Sequence, residues 1–551
     1  MEIMHDHPLP ETTTFAVATL GCKVNQADSE AIGEQMNAAG FMQRDFNEVA
    51  DIYIVNTCTV THLGDRSSRQ LISQARRRHP SALLVVTGCY AELNPQAVAA
   101  LPGVDLVIGN QGKESLVEVI RERRKTGDAG VGLRGEGVQG GDLQGKDVQS
   151  RGALDESVRE EGKDVQSRGA RGEGMHSEDK GLQGEEVQGE GKPRPYIKRF
   201  SPMKHTLPVL SLDAQHIGSD MSLVELDPQP DNPSRLSPFA FHGTATPEMA
   251  GERPAWRTRA QIKVQDGCDN RCTYCIVPYV RGGSRSRSIA SVVDHVRRKV
   301  CAGFQEIVLT GVHLGDYHPE GDEKRDLGDL IAALLRDTGI ARIRVSSLEP
   351  EDFRLEWLEL WKNPRMCRHL HLPMQSGSDN ILRRMARRYK SARYRTIITT
   401  ARQLVPGIAI STDIITGFPG ETDDDFEQTY QLAAALQFAK MHVFRFSPRQ
   451  GTAAARMRGQ IRDEVKKARS ERLLALNEVD NRRFREQFLG QTVQVLIESY
   501  KHGYWEGLTD NYLRVELDGL PDTQSRNWQH TLVNVRLVDL VEDGIRGILI
   551  G

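Results

Sequence analysis

Read for its apolar and polar positions, the chain shows two patterned regions separated by an unpatterned one. Phe15-Ala16-Val17-Ala18-Thr19-Leu20 is a short, continuously apolar run. A helix is predicted over 28–39, with Asp28 or Ser29 as N-cap and Gly40 as the stop. Two further apolar runs follow, 51–57 and 83–88, with a helical stretch over 64–78 between them. Strands that are apolar throughout and alternate with helices imply a parallel sheet covered on both faces. The pattern resumes near 254. Strand-like runs over 260–265, 306–311, 341–348, 369–375, 407–417 and 439–447 alternate with helices, about six βα units of a parallel barrel or partial barrel. A charged helix over 463–487 precedes short runs at 493–498, 512–516 and 533–537, as in a small β-barrel. The expected class is therefore α/β: an N-terminal parallel-sheet domain (12–125), a partial (β/α)6 barrel (254–480) and a small C-terminal β-barrel (485–551).

Between them, 126–252 has no periodicity. Gly-Lys-Asp-Val-Gln-Ser-Arg-Gly-Ala occurs at Gly145 to Ala153 and again at Gly162 to Ala170. These repeats are too polar and Gly-rich to bury a core, so disorder is the expectation, and a solenoid is not. The insertion also changes the meaning of the net charge of −3: Gly127 to Pro193 holds 15 acidic and 9 basic residues, so the remainder is net positive. Over the whole chain 38% hydrophobic and 27% charged residues describe a soluble protein, with no apolar run of membrane length and no secretory leader expected. A cytoplasmic location is expected, where eight Cys serve metals or catalysis rather than disulfides.

Cys268-Asp269-Asn270-Arg271-Cys272-Thr273-Tyr274-Cys275 brings three thiols into one loop directly after a predicted strand. A closed zinc site takes four ligands, usually as two pairs, and remains the alternative. An iron–sulfur cube on three thiolates keeps one iron open for a second ligand. In the first domain each of the three apolar strands runs into a cysteine: Cys22, Cys58 and Cys89. Ligands of open parallel sheets gather at the carboxyl ends of strands, so these thiols are expected to converge on one edge. Singly, each reads equally well as a buried core thiol.

The CxxxCxxC loop with Tyr274 before its last Cys resembles the radical-SAM signature. Ile276-Val277-Pro278-Tyr279-Val280-Arg281-Gly282, Leu20-Gly21-Cys22-Lys23-Val24-Asn25-Gln26 and Asn56-Thr57-Cys58 narrow the resemblance to the methylthiotransferase family. The stretch Gly507 to Tyr512 is similar to the TRAM module, an RNA-binding barrel. Ser347-Leu348-Glu349-Pro350 looks most like the branch acting on threonylcarbamoyladenosine beside the tRNA anticodon. The resemblance implies two [4Fe-4S] clusters, one on Cys268, Cys272 and Cys275 that cleaves S-adenosylmethionine, one on Cys22, Cys58 and Cys89 that delivers a methylated sulfur to C2 of adenine. It also implies a tRNA anticodon loop as substrate, a reducing electron-transfer protein, a sulfur donor, and no membrane partner. Cofactor contacts are expected from Tyr274, Gly311, Glu349, Gln375, Gly417 and, more weakly, Asp413.

Ordinary readings stand beside these. His369 and His371 share one strand face and read as satisfied rim histidines or as metal-competent. Cys301 and Cys367 read as packing residues. Arg281, Arg285 and Arg287, and the run Arg383, Arg384, Arg387, Arg388, Lys390 and Arg393, are either a solvated face or a guide for a phosphate backbone. Tyr504, Trp505 and Tyr512 are either core aromatics of the small barrel or platforms for unpaired bases. Alternatives in function are methylthiolation of isopentenyladenosine or of a ribosomal protein, or a non-catalytic iron–sulfur or zinc RNA-binding protein.

Overall fold

The computed structural model describes residues 13–59, 62–128, 257–319, 321–322, 324–520 and 527–550. The expected disordered insertion therefore lies outside the described residues, except for 126–128.

In the N-terminal domain β1 (Thr14–Thr19), α1 (Lys23–Ala38), β2 (Met42–Gln43), β3 (Ile52–Thr57), α2 (His62–Arg78), β4 (Leu83–Gly88), α3 (Cys89–Leu93), α4 (Pro95–Ala99), β5 (Leu106–Ile108) and α5 (Leu116–Asp128) follow in order. All five strands are parallel, in the order β2-β1-β3-β4-β5. Alternate side chains feed two separate cores. Ala16, Tyr53, Val55, Leu84 and Val86 pack on one face, and Phe15, Ile52, Ile54 and Val85 on the other. This is the double cover that the continuous apolar runs require.

One expectation fails here. Asp28 is not a cap: α1 begins at Lys23, with Cys22 as N-cap. The helix starts directly off the strand end because Gly21 takes a φ of +104°, a turn that a residue with a side chain rarely adopts. Asp28 is thereby placed one and a half turns inside, where it is buried and ion-paired.

The central domain runs through β6 (Arg259–Lys263), β7 (Gln265–Asp266), α6 (Val277–Arg281), β8 (Arg285–Ser286), α7 (Ile289–Cys301), β9 (Glu306–Thr310), α8 (Leu327–Asp337), β10 (Arg342–Val345), β11 (His369–His371), α9 (Asp379–Arg384), α10 (Ser391–Leu404), β12 (Ala409–Thr416), α11 (Asp423–Leu436) and β13 (Lys440–Arg445). Parallel sheets β6-β9-β10 and β11-β12-β13 are joined by the bridges Ile343–Met366 and Ser347–His371, giving six strands of a partial barrel. Ile262, Leu309, Ile343, Leu370, Ile410 and Met441 point outward into one core under the helices. Their neighbours along each strand, among them Arg344, His369, His371, Asp413 and His442, face inward by the two-residue period of a strand.

Helix α12 (Asp463–Glu486) leads to a closed five-stranded barrel of β14 (Thr492–Lys501), β15 (Tyr504–Thr509), β16 (Arg514–Asp518), β17 (Leu532–Val541) and β18 (Gly544–Leu549), in the order β14-β15-β16-β18-β17. Trp505 is a core residue here, whereas Tyr504 and Tyr512 are each 38% exposed. The strand expected over 512–516 starts later, at Arg514, because Tyr512 takes a left-handed φ of 68° in the preceding turn. Cys367 is buried, as a packing residue should be; Cys301 is exposed at the end of α7, which corrects that reading.

Candidate active site: two sets of three thiols

Strands β1, β3 and β4 are neighbours, and Cys22, Cys58 and Cys89 each follow one of them. The three thiol-bearing turns thus share one edge of the sheet. Their closeness is enforced by glycine. A Cβ on Gly21 would lie 2.8 Å from Cys58 Cβ and 2.9 Å from its Sγ, and a Cβ on Gly88 only 2.4 Å from the Thr57 carbonyl oxygen. Asn25 hydrogen-bonds the carbonyls of Leu20 and Thr57 at 2.7 and 2.9 Å, lacing the turn after β1 to that after β3. Burial pushes the Cys89 thiol up by disfavouring its thiolate, an effect that Arg281 opposes and that a bound cation would also oppose.

The second set sits at the mouth of the partial barrel. Cys268 N–H donates to Gly282 and Cys275 N–H to Cys272, which fold the loop back on itself. Burial pushes Cys275 up to about 12, and the adjacent Cys272 and Cys268 add to the shift. Three thiols in mutual electrostatic contact in a low-dielectric loop fit an iron–sulfur cube with one iron left open. Arg387 donates to Cys272 Sγ at 3.4 Å and ion-pairs with Glu349 and Glu351. His313 bonds Asp352 at 2.6 Å and approaches Asn270 at 3.3 Å. Burial works against its charge, but hydrogen bonds to Asp352 and the Cys268 thiol outweigh that and push it up to about 10.

Of the expected cofactor residues, Tyr274 packs edge-on to Phe418 with ring centroids 6.4 Å apart. Glu349 is at the mouth on Arg387. Gln375 is buried in a left-handed conformation with φ 59°, an uncommon state for a residue other than glycine. Gly311 and Gly417 sit in closely packed turns: a Cβ on Gly311 would meet Gln265 Oε1 at 2.9 Å, and one on Gly417 would run into Lys466 Cγ. Asp413 stands apart from Glu349, on the inner face of β12 with its carboxylate 3.3 Å from His371 Nε2. His371, Asp413 and His442 offer ligating atoms that all lie within 4.8 Å of one another.

Arg281 links the two thiol sets. It ends α6, just beyond Cys275, yet its guanidinium reaches Asn25 Oδ1 at 2.5 Å, Asp28 at 3.0 Å and Asp266 at 2.9 Å. Ile276 and Val280 pack against Cys89 in one buried cluster, and Asn110 Nδ2 donates to the Val280 carbonyl at 2.7 Å. On the other side Arg449 ion-pairs with Asp65 at 2.7 Å and donates to Thr59 Oγ1, next to Cys58. The basic run therefore divides. Arg281 and Arg387 are buried structural cations, Arg393 caps the carbonyls of Pro350 and Phe353, and Arg388 remains 63% exposed. In the sequence Arg281 and Arg387 are indistinguishable from surface charge, and no local pattern marks His442.

Residues 262–433 match the model of the radical SAM superfamily, and residues 14–109 match an uncharacterized protein family, UPF0004. Over 520 residues the chain is 32% identical to a threonylcarbamoyladenosine tRNA methylthiotransferase of Bacillus subtilis, covering 92% of this chain and 91% of that one. A protein of the same name from Thermotoga maritima is 31% identical, covering 97% and 96%. A tRNA-2-methylthio-N(6)-dimethylallyladenosine synthase of Akkermansia muciniphila is 28% identical, covering 92% and 93%. With both thiol-bearing domains matched and relatives aligned along almost the whole chain, this protein belongs to the radical-SAM tRNA methylthiotransferases.

Proposed function

We propose that the protein installs a methylthio group on C2 of N6-threonylcarbamoyladenosine at position 37, beside the tRNA anticodon. The reading is supported above all by the junction at Arg281, which holds the sheet edge bearing Cys22, Cys58 and Cys89 against the loop bearing Cys268, Cys272 and Cys275. In this reading Cys268, Cys272 and Cys275 hold one [4Fe-4S] cluster and Cys22, Cys58 and Cys89 a second. Bound together with S-adenosylmethionine, the clusters supply one-electron chemistry at a C–H bond that is neither acidic nor electrophilic, and the sulfur that replaces the hydrogen.

The chain's own residues do the rest. Arg387 hydrogen-bonds Cys272 Sγ and holds Glu349 at the mouth, where a carboxylate accepts hydrogen bonds from a ribose or an amino group. Tyr274, Phe418 and Phe446 close an apolar wall behind the cluster loop that limits water. An anticodon loop suits the chemistry because its bases unstack without melting a duplex. A reducing electron-transfer protein and a sulfur donor complete the cycle, and the reaction belongs in the cytoplasm. Among the described residues no helix is long and apolar enough to cross a membrane.

Nucleoside mass spectrometry of tRNA from cells lacking the chain, with and without its restoration, tests the reading. Restoration should return 2-methylthio-threonylcarbamoyladenosine, and Cys22→Ala or Cys272→Ala should abolish it. If the dimethylallyl nucleoside responds instead, the substrate assignment is wrong while the chemistry stands.

A further inference from the structure

We propose that the inner face of the partial barrel beside the start of α1 is the seat of the adenosine's N6 substituent, and that Lys23 reads a carboxylate on that substituent. The inference rests on the proposed function and adds the residues that select the substrate.

The inner face is polar to an unusual degree for the inside of a strand set. Ser411 Oγ is shared by His369 Nε2 at 3.2 Å and His371 Nδ1 at 2.8 Å. His371 continues to Asp413 at 3.3 Å, and the His442 ring lies edge-on to it at 5.7 Å. His442 stands directly opposite Asp413 in the β12–β13 register. Phe444, two residues along β13 on the same face, leaves 47% of its surface exposed, enough for a base to stack on.

Charge distinguishes one residue. Arg344 is paired with Glu306 at 2.7 Å, and Arg259 with Glu498 at 3.0 Å. Lys263 is held by Asp28 and Asp266. Lys23 is the half-buried first residue of α1, the helix that packs along β6 and β9; it faces Arg259, Arg344, Asp413 and the Tyr512 phenol and forms no ion pair or side-chain hydrogen bond among the described residues. A cation partly withdrawn from bulk water, beside two arginines whose own carboxylates are already engaged, gains from an anion that joins it. Because Lys23 follows Cys22, that anion would be bound beside the N-terminal thiol set.

The two substrates named among the relatives differ in the property this face reads. A threonylcarbamoyl group carries amide-type N–H and C=O groups, a hydroxyl and a carboxylate. A dimethylallyl group carries five carbons and no polar atom, and would offer no partner to the Lys23 ammonium or to the buried, unpaired His369 Nδ1. Sites built to hydrogen-bond a substrate reject the analogue lacking those groups strongly. A divalent metal on His371, Asp413 and His442 is the competing use of these residues. Arg259 and Arg344 are already matched by Glu498 and Glu306, and Lys23, the cation there without an ion pair among the described residues, argues against a further cation.

The test is a chemical double-mutant cycle with the reconstituted full-length protein. Anticodon stem-loop RNAs carry threonylcarbamoyladenosine, its methyl ester or dimethylallyladenosine, and both Kd and methylthiolation are measured. Losing a charge-assisted hydrogen bond should weaken wild-type binding to the ester by about 10- to 100-fold. Lys23→Met should lose a similar factor on the acid and almost nothing further on the ester, with Lys23→Arg restoring most of it. Iron and sulfide content separate this from damage at Cys22, and His442→Leu, away from every cysteine, should narrow the preference for the acid over the dimethylallyl RNA. If Lys23→Met still distinguishes acid from ester as the wild type does, the proposal is overturned. If wild-type protein methylthiolates the acid RNA without that coupling, only the Lys23 proposal falls; if it methylthiolates none of the three and shows no coupling, the functional reading falls with it. Stoichiometric Co(II) binding to cluster-free protein, abolished by Asp413→Ala, would instead assign the inner face to a metal.

Discussion

Replacing Asp28 by asparagine removes one negative charge from a site where three cations meet it. Its carboxylate is 2% exposed and lies 2.7 Å from Lys113 Nζ, 2.5 Å from Lys263 Nζ and 3.0 Å from Arg281 Nη2. At an effective dielectric near 20, each pair of unit charges about 4 Å apart gains about 4 kcal/mol before desolvation is charged against it. Burying the ions costs several kcal/mol each, so the net value of the cluster is far smaller than the gross attraction. Removing the shared anion is different: desolvation of Arg281 and Lys113 stays in place, and the cations then face one another. Loss of one partner from a buried pair costs about 3–5 kcal/mol, and that is the expected destabilisation of Asp28→Asn. Because Lys113 comes from the N-terminal domain and Lys263 and Arg281 from the barrel, the loss should loosen the two domains together. Urea unfolding at pH 7 under anaerobic conditions reads it as a lowered midpoint of the transition that exposes the N-terminal core. The pH dependence has a fixed sign. The three cations, working against burial, hold the Asp28 carboxyl well below the usual carboxylate range. Its contribution is present in full above the unfolded value of about 3.9 and is lost as pH falls through and below it. The wild-type advantage over Asp28→Asn should therefore shrink in acid. A difference below about 1 kcal/mol at pH 7, the range of an exposed pair, would refute the claim that this cluster ties the domains together.

Three further outcomes follow from named contacts. Arg259 above all, with Lys23 and Arg344, brings the Tyr512 phenol down to about 7 against burial; 13Cζ-tyrosine NMR should show one tyrosine ionising near neutrality, lost in Tyr512→Phe and moved upward in Arg259→Gln. The stability linked to that phenolate is present above the unfolded value of about 10 and lost as pH falls through 7. Gly21→Ala forces a Cβ to within 2.8 Å of Cys58 at a φ of +104°; reconstituted protein should fall from about eight irons to about four while still cleaving S-adenosylmethionine. Arg66, Arg69 and Arg77 stand exposed on one face of α2; if that face meets phosphate, Arg66→Ala and Arg77→Ala should each lower the slope of log Kd for tRNA against log salt by about one.

The local signals were legible in the sequence and the long-range ones were not. Six cysteines could be placed because three follow apolar runs and three share an eight-residue loop. Those are features of spacing and period. Asp28 was misread because Asp before an apolar stretch is also the commonest cap signal. Nothing local shows that Gly21 starts the helix five residues sooner, or that Lys263 and Arg281 arrive from more than 230 residues away. Arg387 sits among five other basic residues, and only the fold shows that Glu349, Glu351 and Cys272 surround it. Gly311 and Gly417 follow strands, as the sequence shows, and only the fold shows that Gln265 and Lys466 pack against them.

The same contrast explains why one arginine matters so much to the architecture. A radical generated at the barrel mouth is useful only if the acceptor carbon and the incoming sulfur are held in register, and a misplacement of about 1 Å can cost 100-fold. The Cys268–Cys275 loop and the Cys22, Cys58 and Cys89 edge belong to domains with separate hydrophobic cores. Among the described residues, one small buried apolar cluster spans those domains at the site, made of Cys89, Leu93, Ile276 and Val280. Such a contact is non-directional and would allow sliding. Directional bonds from Arg281 to Asn25 and Asp28, and from Arg449 to Asp65 and Thr59, fix the edge at two points, one beside the turn after Cys22 and one beside Cys58. Two anchored points leave a rigid sheet free only to turn about the line between them, and the packing of Cys89 on Ile276 and Val280, with Asn110 bonded to the Val280 carbonyl, removes that turn and fixes the third thiol.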